Sequence, residues 1–293
     1  MANTIITAAQ IARAALATLY HNTVFLPLVN RDYEETFQPG VGNTVNVRKP
    51  ATFTAASYNG STITVQNATE TSVPVVMDQH FDVSFAVTSI DMTQKVTDFA
   101  AQFLTPALEA HAQGIDKALI AKFENSGWAT LGGPGDGGES WENPKVLIDA
   151  KTLLSENGVP LTNRSVIASS RMAGEWLKDP LFNRVDQSGE TAGLREASMG
   201  SRKFGFDPYE SNNITTNQGY AFHRDAVTFA SRPLWLPKGA ADAAVISYKG
   251  VGLRVVYDYN MNLKSDVVSV DVLYGIKVMD TVRGVIIDGS ASS

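Results

Sequence analysis

The 293 residues include no cysteine. That absence excludes disulfide frameworks, thiolate nucleophiles and cysteine-ligated zinc together, so cohesion has to come from packing or from assembly. Basic charge is in deficit as well: 24 Lys and Arg stand against 30 Asp and Glu, a formal net charge of -6. A protein that grips duplex DNA through many phosphate contacts normally carries the opposite sign, which argues against tight sequence-specific binding. No apolar run approaches the roughly 20 residues that a membrane-spanning helix needs. Residues 1–20 have no basic leader and are interrupted by Gln10 and Arg13, so no signal peptide is expected. Without export, the Asn-x-Ser/Thr triplets at Asn59, Asn67, Asn163 and Asn213 are read as chance.

Catalytic signatures are missing too: there is no GxSxG elbow, no HExxH helix and no carboxylate pair set by a recognisable motif. Gly133, Gly135 and Gly138 match GxGxxG spacing, but a nucleotide site needs a strand before and a helix amino end after it. The segment is expected to follow a helix, contains Pro134 and lacks a phosphate-binding lysine, so it reads as a linker. Asp78, His80 and Asp82 share one parity, where two carboxylates and an imidazole could meet a cation; the bland reading is a solvated strand face. Arg184, Asp186 and Glu190 read as a surface excursion. Tyr248, Tyr257, Tyr259 and Tyr274 read as sheet residues more readily than as a base-stacking platform.

What is present is a globular composition, 44% hydrophobic and 18% charged. Ile11, Ala15 and Leu19 are spaced for a short amphipathic helix, and a polar stretch through Pro39 and Gly40 completes an arm. Residues 44–49 alternate as a half-buried strand. Residues 51–72 form a polar loop with a turn at Asn59-Gly60, a dipeptide suited to positive backbone angles. Val73, Val75, Met77, Phe81, Val83, Phe85 and Val87 then share one parity. Taken as one strand of about 15 residues it reaches about 50 Å, beyond the roughly 19 Å radius of gyration of a compact chain this long.

Val96, Phe99, Phe103, Leu108, Ala112, Ile115, Leu119 and Phe123 predict a long helix, capped by Asp91 or Thr93. Pro106 and Gly114 argue for a kink, or for a second start at Thr105. The glycine-rich segment 131–139 marks a boundary. Beyond it come a helix opened by Asn143-Pro144 and ended at Gly158, a short buried strand at 165–168 and a helix at 172–177. The last third is strand-rich: 252–259 and 268–278, linked by the turn 260–266 and expected as an antiparallel meander on the long helix, with 282–287 finishing it.

Taken in order, these segments resemble tailed-phage major capsid proteins of the Hong Kong 97-like fold, in the actinophage branch related to the P twenty-two type. Gly205-Phe-Asp-Pro-Tyr-Glu-Ser-Asn-Asn-Ile214 resembles the family's "Gly-Phe, tyrosine, Ser-Asn" strand and turn, and Ala221-Phe-His-Arg-Asp-Ala226 resembles the segment that follows it. Residues 164–170 with Trp176, Leu177 and Asp179 resemble the preceding strand and helix. There are departures: 213–222 leaves no room for the inserted domain of the larger coats, residues 57–61 hold no lysine for covalent crosslinking, and no leading scaffold segment precedes the arm.

The resemblance implies an α+β fold with an arm at 1–40, an extended hairpin loop at 41–92, a peripheral domain with a spine helix at 93–130, a mixed axial domain at 131–244 and a late peripheral sheet at 245–293. It implies a non-enzymatic subunit without cofactor, assembling with itself into the hexamers and pentamers of an icosahedral head that encloses double-stranded DNA without sequence-specific binding. Scaffolding and portal proteins are the expected partners, the virion the expected location, and the host bacterial cytoplasm the place of assembly. The expected interface residues are Ile11, Leu19, Tyr58, Asn59, Gly60, Asp78, His80, Asp82 and Arg184. The alternatives are an encapsulin-like compartment shell and, further off, a β-rich carbohydrate-active enzyme or binding module.

Overall fold

The computed structural model describes residues 23–32, 44–49, 53, 55, 57, 60, 65, 71–88, 105–134, 138–183, 199–200, 202–215, 217–248 and 251–289. Its organising element is helix α1 (Thr105–Glu124). The buried face, Leu108, Ala112, Ile115, Leu119 and Phe123, recurs at three- and four-residue intervals, as the pattern requires. Described helix begins at Thr105, the second of the two expected starts, and the positions proposed for an earlier start lie outside the described residues. Gly114 does not interrupt it. A Cβ there would sit 2.8 Å from the Phe81 ring, so the glycine serves close approach of helix to sheet.

The sheet beneath α1 has the order β3-β11-β10-β9: β3 (Gln79–Thr88), β11 (Ser265–Val278), β10 (Val251–Asn260) and β9 (Asp242–Tyr248), all antiparallel neighbours. Val268, Val270, Val272 and Tyr274 alternate into the core below α1. A separate two-stranded ribbon pairs β1 (Thr44–Lys49) with β2 (Thr71–Val76). The single strand expected over 73–87 is therefore two strands in two sheets. β3 pairs with one edge of β11 only up to Tyr274, while the other edge is taken by β10 as far as Asp271 and by β8 (Val227–Arg232) from Leu273 onward. The chain leaves that ladder at Met77–Asp78 and crosses β11 at Gly275, whose missing side chain admits the Val76 backbone. Alternation survives the break: Val75 and Met77 are buried and Val76 and Asp78 exposed, so one parity fills two cores.

A second sheet has the order β4-β12-β7-β5-β6: β4 (Ala129–Leu131), β12 (Gly284–Asp288), β7 (Gln218–His223), β5 (Arg164–Ser169) and β6 (Asp207–Ser211). Both faces are covered. Ile167, Tyr220, Phe222 and Ile286 join the core of α1, while the neighbours of opposite parity, Val166, Ala168, Ala221, Val285 and Ile287, pack with α2 (Val146–Glu156) and α3 (Ser170–Lys178). Strands buried on two sides read as continuous apolar runs, which is why 165–168 was legible as a buried strand. The rings of Phe123 and Phe222 lie 5.0 Å apart and those of Phe123 and Tyr220 5.4 Å, so aromatic packing at the carboxyl end of α1 joins the two sheets.

The pairings cut across the expected segment boundaries. β8 and β9, within 131–244, belong to the sheet below α1, and β12, within 245–293, belongs to the second sheet. The meander thus ends at β11: a 3-10 turn, Thr281–Arg283, capped by the Asp280 side chain on Val282 N, redirects the chain into β12. Local ends follow the sequence signals more closely. Gly158 takes φ +70 just beyond α2, and Ser169 caps α3 by accepting from Met172 N. A final short helix, α4 (Pro180–Asn183), closes this part.

Residues 23–32 are fastened at both ends. Asn30 bonds backbone to Val227 and Phe229, Asn30 Nδ2 donates to Asp225, and Arg224 pairs with Asp32 at 2.8 Å. At the other end Val24 N and Phe25 N donate to the buried Asp116 carboxyl of α1 at 3.1 and 3.3 Å, with Asn213 Nδ2 at 3.4 Å. Burial pushes the Asp116 carboxyl up to about 6 against these hydrogen bonds. A carboxyl that holds its proton more tightly folded than unfolded takes up a proton on folding, so its contribution to stability is full below about pH 4 and declines until about pH 6. Asp116→Asn is expected to match the native chain at pH 4 and to exceed it at pH 7.5 by on the order of 2 kcal/mol, read by urea unfolding. Equal stability of the two chains at pH 7.5 would contradict this.

Candidate assembly surfaces

The β1/β2 ribbon has a register symmetric about residue 60, with Thr44 opposite Val76 and Lys49 opposite Thr71. That is the turn position read from Asn59-Gly60. Gly60 is exposed at φ +87, with nothing within 4 Å of the place a Cβ would take. The base of the ribbon is docked: Val47 and Val75 form a small core with Ala230 and the partly buried Met279. Beyond the base, Phe53 and Val65 are 67% and 84% exposed. Apolar side chains in that position gain nothing from water and fit a surface awaiting a partner. Tyr58 and Asn59 lie outside the described residues, as do Ile11, Leu19 and Arg184.

On the sheet face turned away from α1, Asp82 stands opposite Asp271, which stands opposite Arg254. Arg254 donates through Nε at 2.9 Å and Nη2 at 2.5 Å to one Asp271 oxygen, and His80 Nε2 lies 3.2 Å from the other. Asp271 is 4% exposed, so a carboxylate taken from water is compensated by a guanidinium directly across the ladder. Asp82 accepts from Ser269 at 2.6 Å and from Ser84. Burial opposes its ionisation, yet these hydroxyls prevail and hold its carboxyl below the ordinary value. Of the three residues weighed as cation ligands, two are thus engaged within the sheet, and Asp78 is exposed at the strand break. Among the described residues no group of three or more His, Asp or Glu is placed to hold a metal.

His111 of α1 approaches the same sheet from the core side, Nε2 to the Val270 carbonyl at 2.8 Å. A carbonyl only accepts, so Nε2 carries the proton; burial pushes the imidazole below its ordinary value, and the neutral ring fits the core.

The glycine segment corrects one expectation and supports another. It follows the short strand β4, not a helix, yet α2 begins only at Val146. Asp149 of its first turn accepts from Glu139 N at 2.9 Å, which puts a carboxylate beside the loop amide that an anion would need. Gly135 lies outside the described residues.

Sequence reasoning passed over the largest exposed aromatic side chain. Trp235, 75% exposed, lies in the loop 233–241 between β8 and β9, and its carbonyl accepts from Arg254 Nη1 at 2.8 Å. Tyr259, Met261 and Leu263 stand out at the β10–β11 turn. The available signal was an aromatic and two leucines enclosed by Pro233 and Pro237. No helix among the described residues is long and apolar enough to cross a membrane.

No protein-family model matches the chain, and no curated protein matches it. Solved structures do. One from Mycobacterium phage Che8 superposes with a TM-score of 0.66 at 26% identity, covering 90% of each chain. The capsid of the cyanophage P-SCSP1u gives 0.62 at 11% identity, covering 91% of this chain and 88% of that one. A virus-like particle from Pyrococcus furiosus gives 0.56 at 13% identity, covering 95% and 98%. The chain shares its fold with phage capsid proteins over nearly its whole length.

Proposed function

We propose that this chain is the major capsid protein of a tailed phage, building the icosahedral head around double-stranded DNA by association with copies of itself. The observation that carries the reading is the likeness to phage structures over most of the chain, at 26% identity and 90% coverage for that of Mycobacterium phage Che8 and, in fold, to phage capsids at lower identity. A ribbon docked at its base, with exposed Phe53 and Val65 further along, fits a subunit completed by its neighbours. Each contact between copies would bury on the order of 1,000 Å² or more, and repetition around a closed ring supplies avidity. The net charge of -6 fits DNA held by enclosure.

The actinophage branch, the interfaces at Ile11, Leu19, Tyr58, Asn59, Gly60, Asp78, His80, Asp82 and Arg184, the division into peripheral and axial domains, the scaffolding and portal partners and assembly in the bacterial cytoplasm belong to the same proposal. The Pyrococcus furiosus particle keeps a second reading in view, an encapsulin-like shell around a protein cargo.

Expression of the full chain with its neighbouring genes, followed by negative-stain microscopy and nuclease treatment, separates the two. Closed particles holding nuclease-protected DNA are expected. Particles filled with protein would favour the compartment, and a monomer by light scattering at high concentration would overturn both.

A further inference from the structure

Exposed apolar side chains gather at two places on the sheet below α1, and the two differ in every respect that decides how they can meet. The first is the loop 233–241. Its backbone is pinned by Arg254, itself fixed on Asp271, and by Pro233, which lies so close to Gly252 that a Cβ there would be 2.4 Å from Pro233 Cδ. Trp235 and Leu236 are therefore presented on a stiff support, which lowers the entropy lost on docking. The second is the β10–β11 turn with Tyr259, Met261 and Leu263.

They belong to opposite faces. Arg254, which holds the loop, alternates with the core residues Leu253 and Val255, whereas Tyr259 has the parity of Val255 and continues the core face past its end. Five residues of strand separate the two, about 17 Å. Their charges are complementary: 232–242, the loop with one flanking residue on each side, carries Arg232 and Lys238 against Asp242, a sum of +1, while 257–266 carries Asp258 and Asp266 against Lys264, a sum of -1. Contact across a two-fold axis is reciprocal, so it would need both patches on one side of the subunit. Two unlike, oppositely charged patches on opposite faces fit a head-to-tail contact, the kind that propagates around a ring.

We infer that the β10–β11 turn of one copy docks on the Trp235 loop of the next, with Met261 and Leu263 against Trp235 and Asp266, which stands opposite Tyr259 on the same face, toward Lys238. The inference rests on the shell reading and names one of its interfaces.

The cysteine-free sequence allows a direct test. Full-length Trp235→Cys and Met261→Cys chains are assembled singly and as an equimolar mixture, oxidised mildly and run on a non-reducing gel. A covalent dimer is expected only from the mixture. Dimers from either single variant would show like meeting like and overturn the inference, as would a mixture that stays monomeric inside particles closed by microscopy. Particles that close without the crosslink leave the shell reading standing, whereas a native chain that forms no particles overturns both. As a second arm, Lys238→Glu or Asp266→Lys alone slows assembly about tenfold or more by light scattering, and the double reversal recovers most of the rate. Failure of the pair to recover would equally overturn the contact.

Discussion

Gly275→Ala is expected to unseat the β1/β2 ribbon and to stop assembly while the sheet below α1 stays folded. The added methyl would lie 2.2 Å from the Val76 carbonyl oxygen and 2.8 Å from its carbon, both backbone atoms that no rotamer change can move. β2 has to retreat by about 1 Å, because a close-packed interior has no slack of that size. The retreat separates Val75 and Val47 from Ala230, the contacts that dock the base of the ribbon. Overpacking of this kind costs about 1–3 kcal/mol. Urea unfolding of the unassembled chain would read the loss, and microscopy the failure to close. Gly174→Ala is the control: it lies within α3 with nothing within 4 Å of an added Cβ, and should stabilise by about 1 kcal/mol through helix propensity. If Gly275→Ala behaved like Gly174→Ala, the crossing would not be the constraint described.

Arg164→Ala should be the most damaging substitution away from the ribbon. Arg164, 1% exposed at the start of β5, donates through Nε to the Pro160 carbonyl at 2.8 Å, through Nη2 to the Val159 carbonyl at 2.7 Å, and through Nη1 to the Lys151 carbonyl and the Ser155 hydroxyl at 3.3 and 3.2 Å. One planar group thus satisfies acceptors from the last turns of α2 and from the loop that leads into β5, at the helix end where a cation is favoured. Truncation leaves those acceptors buried and unpaired. The expected loss is about 3 kcal/mol, since bonds to a charged donor are worth more than neutral ones and each orphaned acceptor adds its own desolvation penalty. At roughly 2–4 °C per kcal/mol for a chain of this order of size, the melting midpoint should fall by about 6–12 °C. Arg164→Lys should recover little, because an ammonium cannot reach three directions from one plane. A fall below about 2 °C would show that water replaces the guanidinium.

Much of the fold was legible because period and punctuation are local properties. The register of β1 with β2 is symmetric about residue 60, where Asn59-Gly60 permits positive backbone angles. The end of α2 follows from Gly158, and the buried face of α1 from three- and four-residue spacing. The stretch 73–87 was read correctly in parity and wrongly in continuity, since the place where it leaves the ladder is set against β11, whose Gly275 lies under the Val76 carbonyl and comes from far along the chain. The candidate surfaces were legible only in part for the same reason. His80 and Asp82 share a face of β3 while Asp78 falls at the break before it, and the partners that engage His80 and Asp82, Asp271 and Ser269, come from β11.

The sequence alone determined the absence of disulfide chemistry, the acidic balance, which positions along each strand and helix turn inward, and where the chain turns. Tertiary structure decided which strands share a sheet, that β12 leaves the meander for β7 and β4, and that Arg254 lies opposite Asp271. The division has a physical origin. Alternation and turn chemistry are fixed by neighbours a few residues apart, whereas an edge of a strand accepts whichever partner reaches it first in space, and that contest is settled by the packing of the whole chain.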